Sequence, residues 1–177
     1  MKLIVIRHGE TDLNKENRMQ GCKGPNLGLT ADGREMVITL RDRLSVTPEI
    51  IYASPLLRTQ ETVRILNERF HLPIVDAPEI VERDFGSLSG MLRSEVDQKI
   101  VEADLEGHYD YRPYGGESVE DVTKRIQMFI AKLKTKKESI VMLVTHRGII
   151  RILYDLYPCA VIPETVLPAS QHIFEIP

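Results

Sequence analysis

The residues best suited to chemistry are two histidines that each have an arginine as a direct neighbour. His8 follows Arg7, and His146 precedes Arg147. A neutral imidazole is a competent nucleophile, and nearby arginines attract phosphate oxygens while disfavouring protonation of the ring. The pattern predicts phosphoryl transfer, which needs an in-line nucleophile within positive charge. The other histidines lack this setting and are expected to be structural or solvated: His71, His108 and His172.

A third arginine follows a helix-start pattern. Ser54-Pro55 is typical of a helix that begins with Ser as N-cap and Pro at the first position. Arg58 would then lie in the first turn, where free backbone N–H groups also favour an anion. We therefore expect Arg58 to add positive charge around a phosphoryl group.

Cleavage of a phosphate ester also requires a carboxylic acid to protonate the leaving oxygen. Glu82 is the first candidate, and Glu79 and Asp84 are its rivals. No group of His, Asp and Glu has the spacing of metal ligands. The residues themselves therefore indicate no metal site, and we expect no cofactor. That the reaction needs no metal is implied by the family resemblance described below.

The elements that must position these residues alternate between strands and helices. The expected strands are Leu3–Ile6, Ile50–Ala53, Ile74–Val75, Ile140–Val144 and His172–Ile176. The expected helices begin at Thr30, Ser54 and Ser118, with a short one over Ser94–Val101 and a last one over Gly148–Tyr157. This alternation predicts an α/β fold, a three-layer α/β/α sandwich with a mostly parallel central sheet. Both histidines would emerge at the carboxyl edge of that sheet, where such folds bind ligands.

Length and composition fit one domain over residues 1–177, with 85–116 as a small flap beside the site. A net charge of −3 argues against a nucleic-acid partner, and no apolar run is long enough to span a membrane. Cys22 and Cys159 are expected to be free thiols of a cytoplasmic protein. Apolar residues near Leu156–Leu167 allow a homodimer contact.

Six motifs, in order, resemble those of the histidine phosphatase superfamily, the phosphoglycerate mutase-like proteins. They are Arg7-His8-Gly9-Glu10-Thr11, Leu29-Thr30-Ala31-Asp32-Gly33, Ser54-Pro55-Leu56-Leu57-Arg58, Glu82-Arg83-Asp84-Phe85-Gly86, Gly115-Gly116-Glu117-Ser118 and Val144-Thr145-His146. A single Arg-His-Gly would be weak, whereas six ordered motifs are specific.

The resemblance implies a role for each matched position. His8 would become a phosphohistidine, and Glu82 would protonate the leaving alcohol and then activate water. The phosphoryl oxygens would be held by Arg7, Arg58 and His146. Further contacts to a small phosphorylated substrate are expected from Asn14, Glu10, Thr11, Gln20, Gly21, Arg83, Arg93 and Arg147.

The sequence departs from the family pattern at two positions. Arg147 replaces the glycine that commonly follows the second histidine, and Ser89 precedes Gly90 in the acid-bearing motif. The favoured activity is hydrolysis of a small phosphomonoester, such as an α-ribazole phosphate or a sugar phosphate. The alternatives are a cofactor-dependent phosphoglycerate mutase and a catalytically inactive phosphate-binding relative.

Overall fold

The computed structural model describes residues 1–158 and 165–177. The strands are β1 (Lys2–Arg7), β2 (Ile50–Ala53), β3 (Ile74–Asp76), β4 (Ile140–Thr145) and β5 (Gln171–Glu175). The α-helices are α1 (Asp12–Lys15), α2 (Ala31–Arg43), α3 (Leu57–Phe70), α4 (Gln98–Glu106), α5 (Val119–Lys134) and α6 (Arg147–Leu156). All five predicted strands are present.

The strands form one mixed sheet in the order β3-β2-β4-β1-β5. The pairs β1–β4, β2–β4 and β2–β3 are parallel, whereas β5 runs antiparallel to its neighbour β1. The register places Arg7 opposite Thr145, so the chain leaves β1 and β4 at the same height. The residues that follow, His8 and His146, therefore start from neighbouring positions at the carboxyl edge.

Both faces of the sheet are covered, because successive residues of the central strands enter different hydrophobic cores. Leu3 and Val5 pack in one core with residues of α5 and α6. Ile4 and Ile6 pack in the other core with residues of α2 and α3. Such continuous apolar strands are typical of buried parallel sheets. The predicted α/β sandwich with a mostly parallel sheet is confirmed.

Two of the three predicted helix caps are confirmed, and one is wrong. Thr30 caps α2, and Ser118 caps α5 with a full capping box. Ser54 does not cap α3, which begins at Leu57 after an N-cap without a side-chain hydrogen bond. Instead, the Ser54 amide continues the sheet by donating to Val144 O at 3.0 Å, and the Ser54 hydroxyl oxygen lies 2.8 Å from His146 Nε2. Arg58 still lies in its first turn.

The segment 85–116 consists of short turns around α4. The helix predicted over Ser94–Val101 is displaced, because Asp97 caps α4 and the chain before it forms a 3-10 turn over Arg93–Glu95. The role of the segment as a flap stays a prediction. Cys159 and half of the contact predicted near Leu156–Leu167 lie outside the described residues. None of the helices in residues 1–158 and 165–177 combines the length and apolar character needed to cross a bilayer.

Candidate active site

A cavity of about 240 Å³ opens at the carboxyl edge of the sheet, where β1 and β4 end. Three of the five residues predicted to be catalytic line it: Arg7, His8 and Glu82. The other two, Arg58 and His146, are buried next to it, with 1% and 0% of their surfaces exposed. The structure therefore brings together the residues that the sequence motifs place far apart in the chain.

His8 has one ring nitrogen occupied and one available. Its Nδ1 lies 2.7 Å from the carbonyl oxygen of Gly9, and because a carbonyl only accepts, Nδ1 carries the proton. The lone pair of the neutral ring is then on Nε2. Burial lowers the pKa of His8 well below its usual value, with further lowering by the charges of Arg58 and Arg7. The ring is thus neutral, with a fixed tautomer whose Nε2 carries the lone pair.

Two buried guanidinium groups supply positive charge beside His8. Arg7 donates to Val166 O at 2.7 Å, and Arg58 donates to Gly21 O at 3.1 Å. Each Nε is buried without a hydrogen-bond partner among the described residues. Burial lowers the pKa of both side chains to about 10, so both remain charged at neutral pH. Their unused donors suit phosphate oxygens, which accept several hydrogen bonds at once.

His146 packs edge-on against His8, with ring centroids 5.2 Å apart. Its Nε2 lies 2.8 Å from the Ser54 hydroxyl oxygen, and its Nδ1 is buried without a partner in the described part of the chain. Burial, together with the charge of Arg58, lowers the pKa of His146 well below its usual value. If the Ser54 hydroxyl donates to Nε2, the neutral ring presents Nδ1–H as one more donor.

Glu82 is held by two backbone amides. The Arg83 N–H donates to its Oε1 at 3.0 Å, and the Gly148 N–H at the start of α6 donates to its Oε2 at 3.2 Å. A Cβ atom on Gly148 would lie 2.3 Å from Oε1, so this carboxylate occupies the space of the missing side chain. The orientation of Glu82 therefore depends on a glycine two positions after His146.

The two rival carboxylates are engaged elsewhere. Glu79 pairs with Lys132 at 3.3 Å, and Asp84 pairs with Lys23 at 2.6 Å while accepting the Gly86 N–H. Neither lines the cavity that contains His8. The geometry thus favours Glu82 over both of them as the acid.

Six of the eight residues predicted to contact substrate also line the cavity: Glu10, Asn14, Gln20, Arg83, Arg93 and Arg147. The other two, Thr11 and Gly21, do not. The Thr11 hydroxyl donates to Gln20 Oε1 at 3.0 Å and caps α1, while Gly21 accepts from Arg58. Their direct contact with substrate stays a prediction, and the geometry gives both a supporting position.

Asp104 forms ion pairs with two arginines that line the cavity, Arg83 and Arg93. This fully buried carboxylate lies 2.5 Å from Arg83 Nη2 and 3.3 Å from Arg93 Nη1. The Arg83 guanidinium also stacks on Tyr109, 4.4 Å from the ring centroid. Arg83 is therefore fixed by its own partners, which makes its guanidinium less available to a ligand than its place in the motif indicates.

The sequence interpretation missed three residues that shape the site: Ser54 as partner of His146, Gly148 as neighbour of Glu82, and Asp104 as partner of two arginines. Gly148 had a local signal, since a glycine close to a motif histidine indicates close approach of another group. Asp104 had none, because its ion pairs join residues 11 and 21 positions away in the chain.

The part of the chain that the structure describes contains no group of three or more His, Cys, Asp or Glu side chains suited to a metal ion. The positive charge around His8 comes from side chains. Independence of metals stays a prediction.

Comparisons with known proteins agree with this geometry. The family model of the histidine phosphatase superfamily (branch 1) matches residues 3–160. Phosphoserine phosphatase 1 of Hydrogenobacter thermophilus is 32% identical over 159 residues, which cover 87% of this chain and 74% of that protein. The 2,3-bisphosphoglycerate-dependent phosphoglycerate mutase of Bartonella henselae is 35% identical over 133 residues, covering 70% and 64%.

A solved structure gives the same result for the fold. The crystal structure of phosphoglycerate mutase from Thermus thermophilus superposes with a TM-score of 0.80 at 31% identity, covering 98% of this chain and 92% of that one. Relatives named as a phosphatase and as mutases are thus both similar to this chain. The chain belongs to the histidine phosphatase superfamily, branch 1.

Proposed function

We propose that the protein hydrolyses small phosphomonoesters through a phosphohistidine on His8. The observation that carries the proposal is the state of His8. It is a buried neutral imidazole whose Nδ1 proton faces the Gly9 carbonyl oxygen and whose Nε2 has no hydrogen-bond partner among the described residues. A nucleophile in this state needs no base to activate it. Its position in a small, arginine-lined cavity suits a compact anionic substrate.

In the first step, Nε2 of His8 attacks phosphorus and the bond from phosphorus to the ester oxygen breaks. The electron pair of that bond remains on the departing oxygen, and Glu82 in its acid form transfers a proton to it, which releases the alcohol. Arg7 and Arg58 hold the equatorial oxygens, where charge is spread during transfer. His146 donates a further hydrogen bond through Nδ1.

In the second step, the Glu82 carboxylate accepts a proton from water, and the oxygen of that water attacks phosphorus. The bond from phosphorus to Nε2 breaks, and its electron pair returns to the ring. Inorganic phosphate leaves, His8 is neutral again and Glu82 is again the acid. The arginines serve both steps, because the same three oxygens develop charge each time.

Hydrolysis of p-nitrophenyl phosphate in the presence of EDTA tests this function. We expect activity without added metal and its loss in His8→Ala, whereas His71→Ala, at the exposed end of α3, retains activity. Rapid quenching should give a phosphorylated protein that is labile to acid and stable to alkali, with the label on His8. Loss of activity in EDTA, or full activity of His8→Ala, would refute the proposal.

A second candidate is phosphoglycerate mutase activity, because the cavity also contains Arg93 and Arg147, which could hold a bisphosphate while it reorients. We expect no conversion of 3-phosphoglycerate to 2-phosphoglycerate when 2,3-bisphosphoglycerate is supplied. Conversion faster than release of phosphate would favour the mutase instead.

A further inference from the structure

Arg147 is a largely buried cation that has no ion pair in the described part of the chain. Its Nε is buried and makes no hydrogen bond to any described residue. Burial lowers the pKa of Arg147, and the positive charges of Arg93 and Arg151 lower it further. A partly buried charge that faces a cavity without a counter-charge is a favourable position for a bound anion.

The described residues around Arg147 do not provide that negative charge. Asp104, the carboxylate that raises the pKa of Arg147, is already shared by Arg83 and Arg93. Arg151, one turn further along α6, is another cation, and it donates to the carbonyl oxygens of Asp104 and Leu105. Four arginines therefore lie around one carboxylate, and Arg147 has neither an ion pair nor a side-chain hydrogen bond among the described residues.

Arg147 lies where the cavity that contains His8 adjoins a second one. Besides the cavity that contains His8, a second cavity of about 410 Å³ extends along α4, and Asn17, Arg93 and Arg147 line both of them. The far wall of the second cavity is partly apolar, with Val101 and Leu105. A ligand whose phosphate lies at His8 would therefore meet Arg147 with its other end.

We propose that Arg147, together with Arg93, forms a subsite for a second anionic group, so that the preferred substrate is a phosphomonoester with a carboxylate or second phosphate on its alcohol part. This inference rests on the proposed function for the identity of the first group, the phosphate at His8. A planar guanidinium suits either anion, because it can donate two parallel hydrogen bonds to a pair of oxygens. Phosphomonoesters with an uncharged alcohol part would leave Arg147 unpaired and bind less tightly.

Matched ligands test the subsite without requiring turnover. Binding of 3-phosphoglycerate and of glycerol 3-phosphate is measured by calorimetry on His8→Ala protein, with ethylene glycol bisphosphate as the two-phosphate probe. We expect at least one of the two ligands with a second anionic group to bind about tenfold more tightly than glycerol 3-phosphate. The stronger of the two identifies the second group as carboxylate or phosphate.

Substitutions assign the preference to Arg147. The ratio to follow is the affinity for the stronger ligand with two anionic groups divided by the affinity for glycerol 3-phosphate. Adding Arg147→Gln to His8→Ala should bring this ratio close to one. Arg147→Lys in the same background should keep part of the preference. Arg112→Gln, which removes an exposed arginine of the same flap that is paired with Asp110, should keep the ratio of the parent. In protein that retains His8, the ratio of kcat/KM values for the same ligands should fall on Arg147→Gln as the affinity ratio does. The change should lie in KM rather than in kcat.

The outcomes separate this inference from the proposed function. Equal affinities in the parent, or a ratio that survives Arg147→Gln, would overturn the subsite even if hydrolysis is fast. A protein that prefers doubly anionic ligands through Arg147 but hydrolyses none of them would retain the subsite and refute the phosphatase proposal.

Discussion

Replacement of Gly148 by alanine should disable Glu82 without removing it. The added Cβ would lie 2.3 Å from Glu82 Oε1 and 3.2 Å from its Cδ, whereas ordinary contacts begin at 3.4 Å. The carboxylate must therefore retreat by 3.4 − 2.3, about 1.1 Å. Because alanine is a better helix former than glycine by about 1 kcal/mol, the start of α6 should not itself be weakened.

The size of the effect follows from that displacement. A misplacement of about 1 Å can cost roughly 10²-fold in rate, and a general acid contributes about 10² to 10⁴-fold in total. We therefore expect Gly148→Ala to lower kcat/KM for alkyl phosphates by about 10²-fold. The loss for p-nitrophenyl phosphate should be about tenfold or less, because its leaving group barely needs a proton.

Two assays distinguish loss of the acid from general damage. The parameter kcat/KM reports the steps up to release of the alcohol, so its dependence on the leaving group isolates proton donation. The second step also uses Glu82, as a base, so stopped-flow measurements with p-nitrophenyl phosphate should show a burst as phosphohistidine accumulates. In a Glu82→Gln background, Gly148→Ala should have little further effect on catalysis, since the group that it displaces is already inactive.

Equal losses for alkyl and aryl phosphates would refute this reasoning, as would fully additive effects of the two substitutions. Either result would mean that Gly148 supports the fold rather than the acid. Thermal unfolding of Gly148→Ala provides the control, and we expect its Tm to lie within a few degrees of the parent.

Three more predictions follow from buried ionisable groups. Below about pH 6.5, His8 and His146 become protonated in the unfolded chain but not in the native state. The free energy of unfolding measured with urea should therefore fall as pH falls, by up to about 1.4 kcal/mol per pH unit for each histidine. A profile that does not change with pH would contradict this. Asp104→Asn should cost about 3–5 kcal/mol in the same assay by leaving Arg83 unpaired, and a loss under about 1 kcal/mol would contradict that. Burial raises the pKa of Cys22 from 9.0 to about 11. Alkylation of Cys22 at neutral pH, measured at that site, should therefore be about a hundredfold slower than alkylation of free cysteine. A rate equal to that of free cysteine would mean that the thiol is exposed to water.

The strands could be predicted from sequence because each central one is a short apolar run in which both faces are buried. Ile4 and Val5 enter opposite cores, so neither position could be polar, and the run is easily recognised. Helix caps with a local partner, such as Ser118 with Asp121, were equally readable. Ser54 was misassigned because its amide and its hydroxyl both have long-range partners, Val144 and His146.

The residues that lie at the cavity could be identified from the sequence, whereas the contacts between them could not. His8, Arg7 and Glu82 stand in ordered motifs, and the parallel pairing of β1 with β4 is enough to bring His8 beside His146. What holds Glu82 could not be predicted, because its partners are backbone N–H groups, which every residue except proline has. The ion pairs of Arg83 and Arg93 could not be predicted either, because both depend on Asp104, which lies far along the chain.

The start of α6 shows why one departure from the family pattern is tolerated and another would not be. The family commonly has glycine directly after the second histidine, and here Arg147 stands there while Gly148 follows. A side chain at 147 has two cavities to enter, so this position can change and thereby alter what the pocket accepts. A side chain at 148 would enter the space of the Glu82 carboxylate. On the two proposals above, adjacent positions bear on different properties. We expect selectivity to depend on position 147 and proton transfer on position 148, so that only the first can vary without loss of the chemistry.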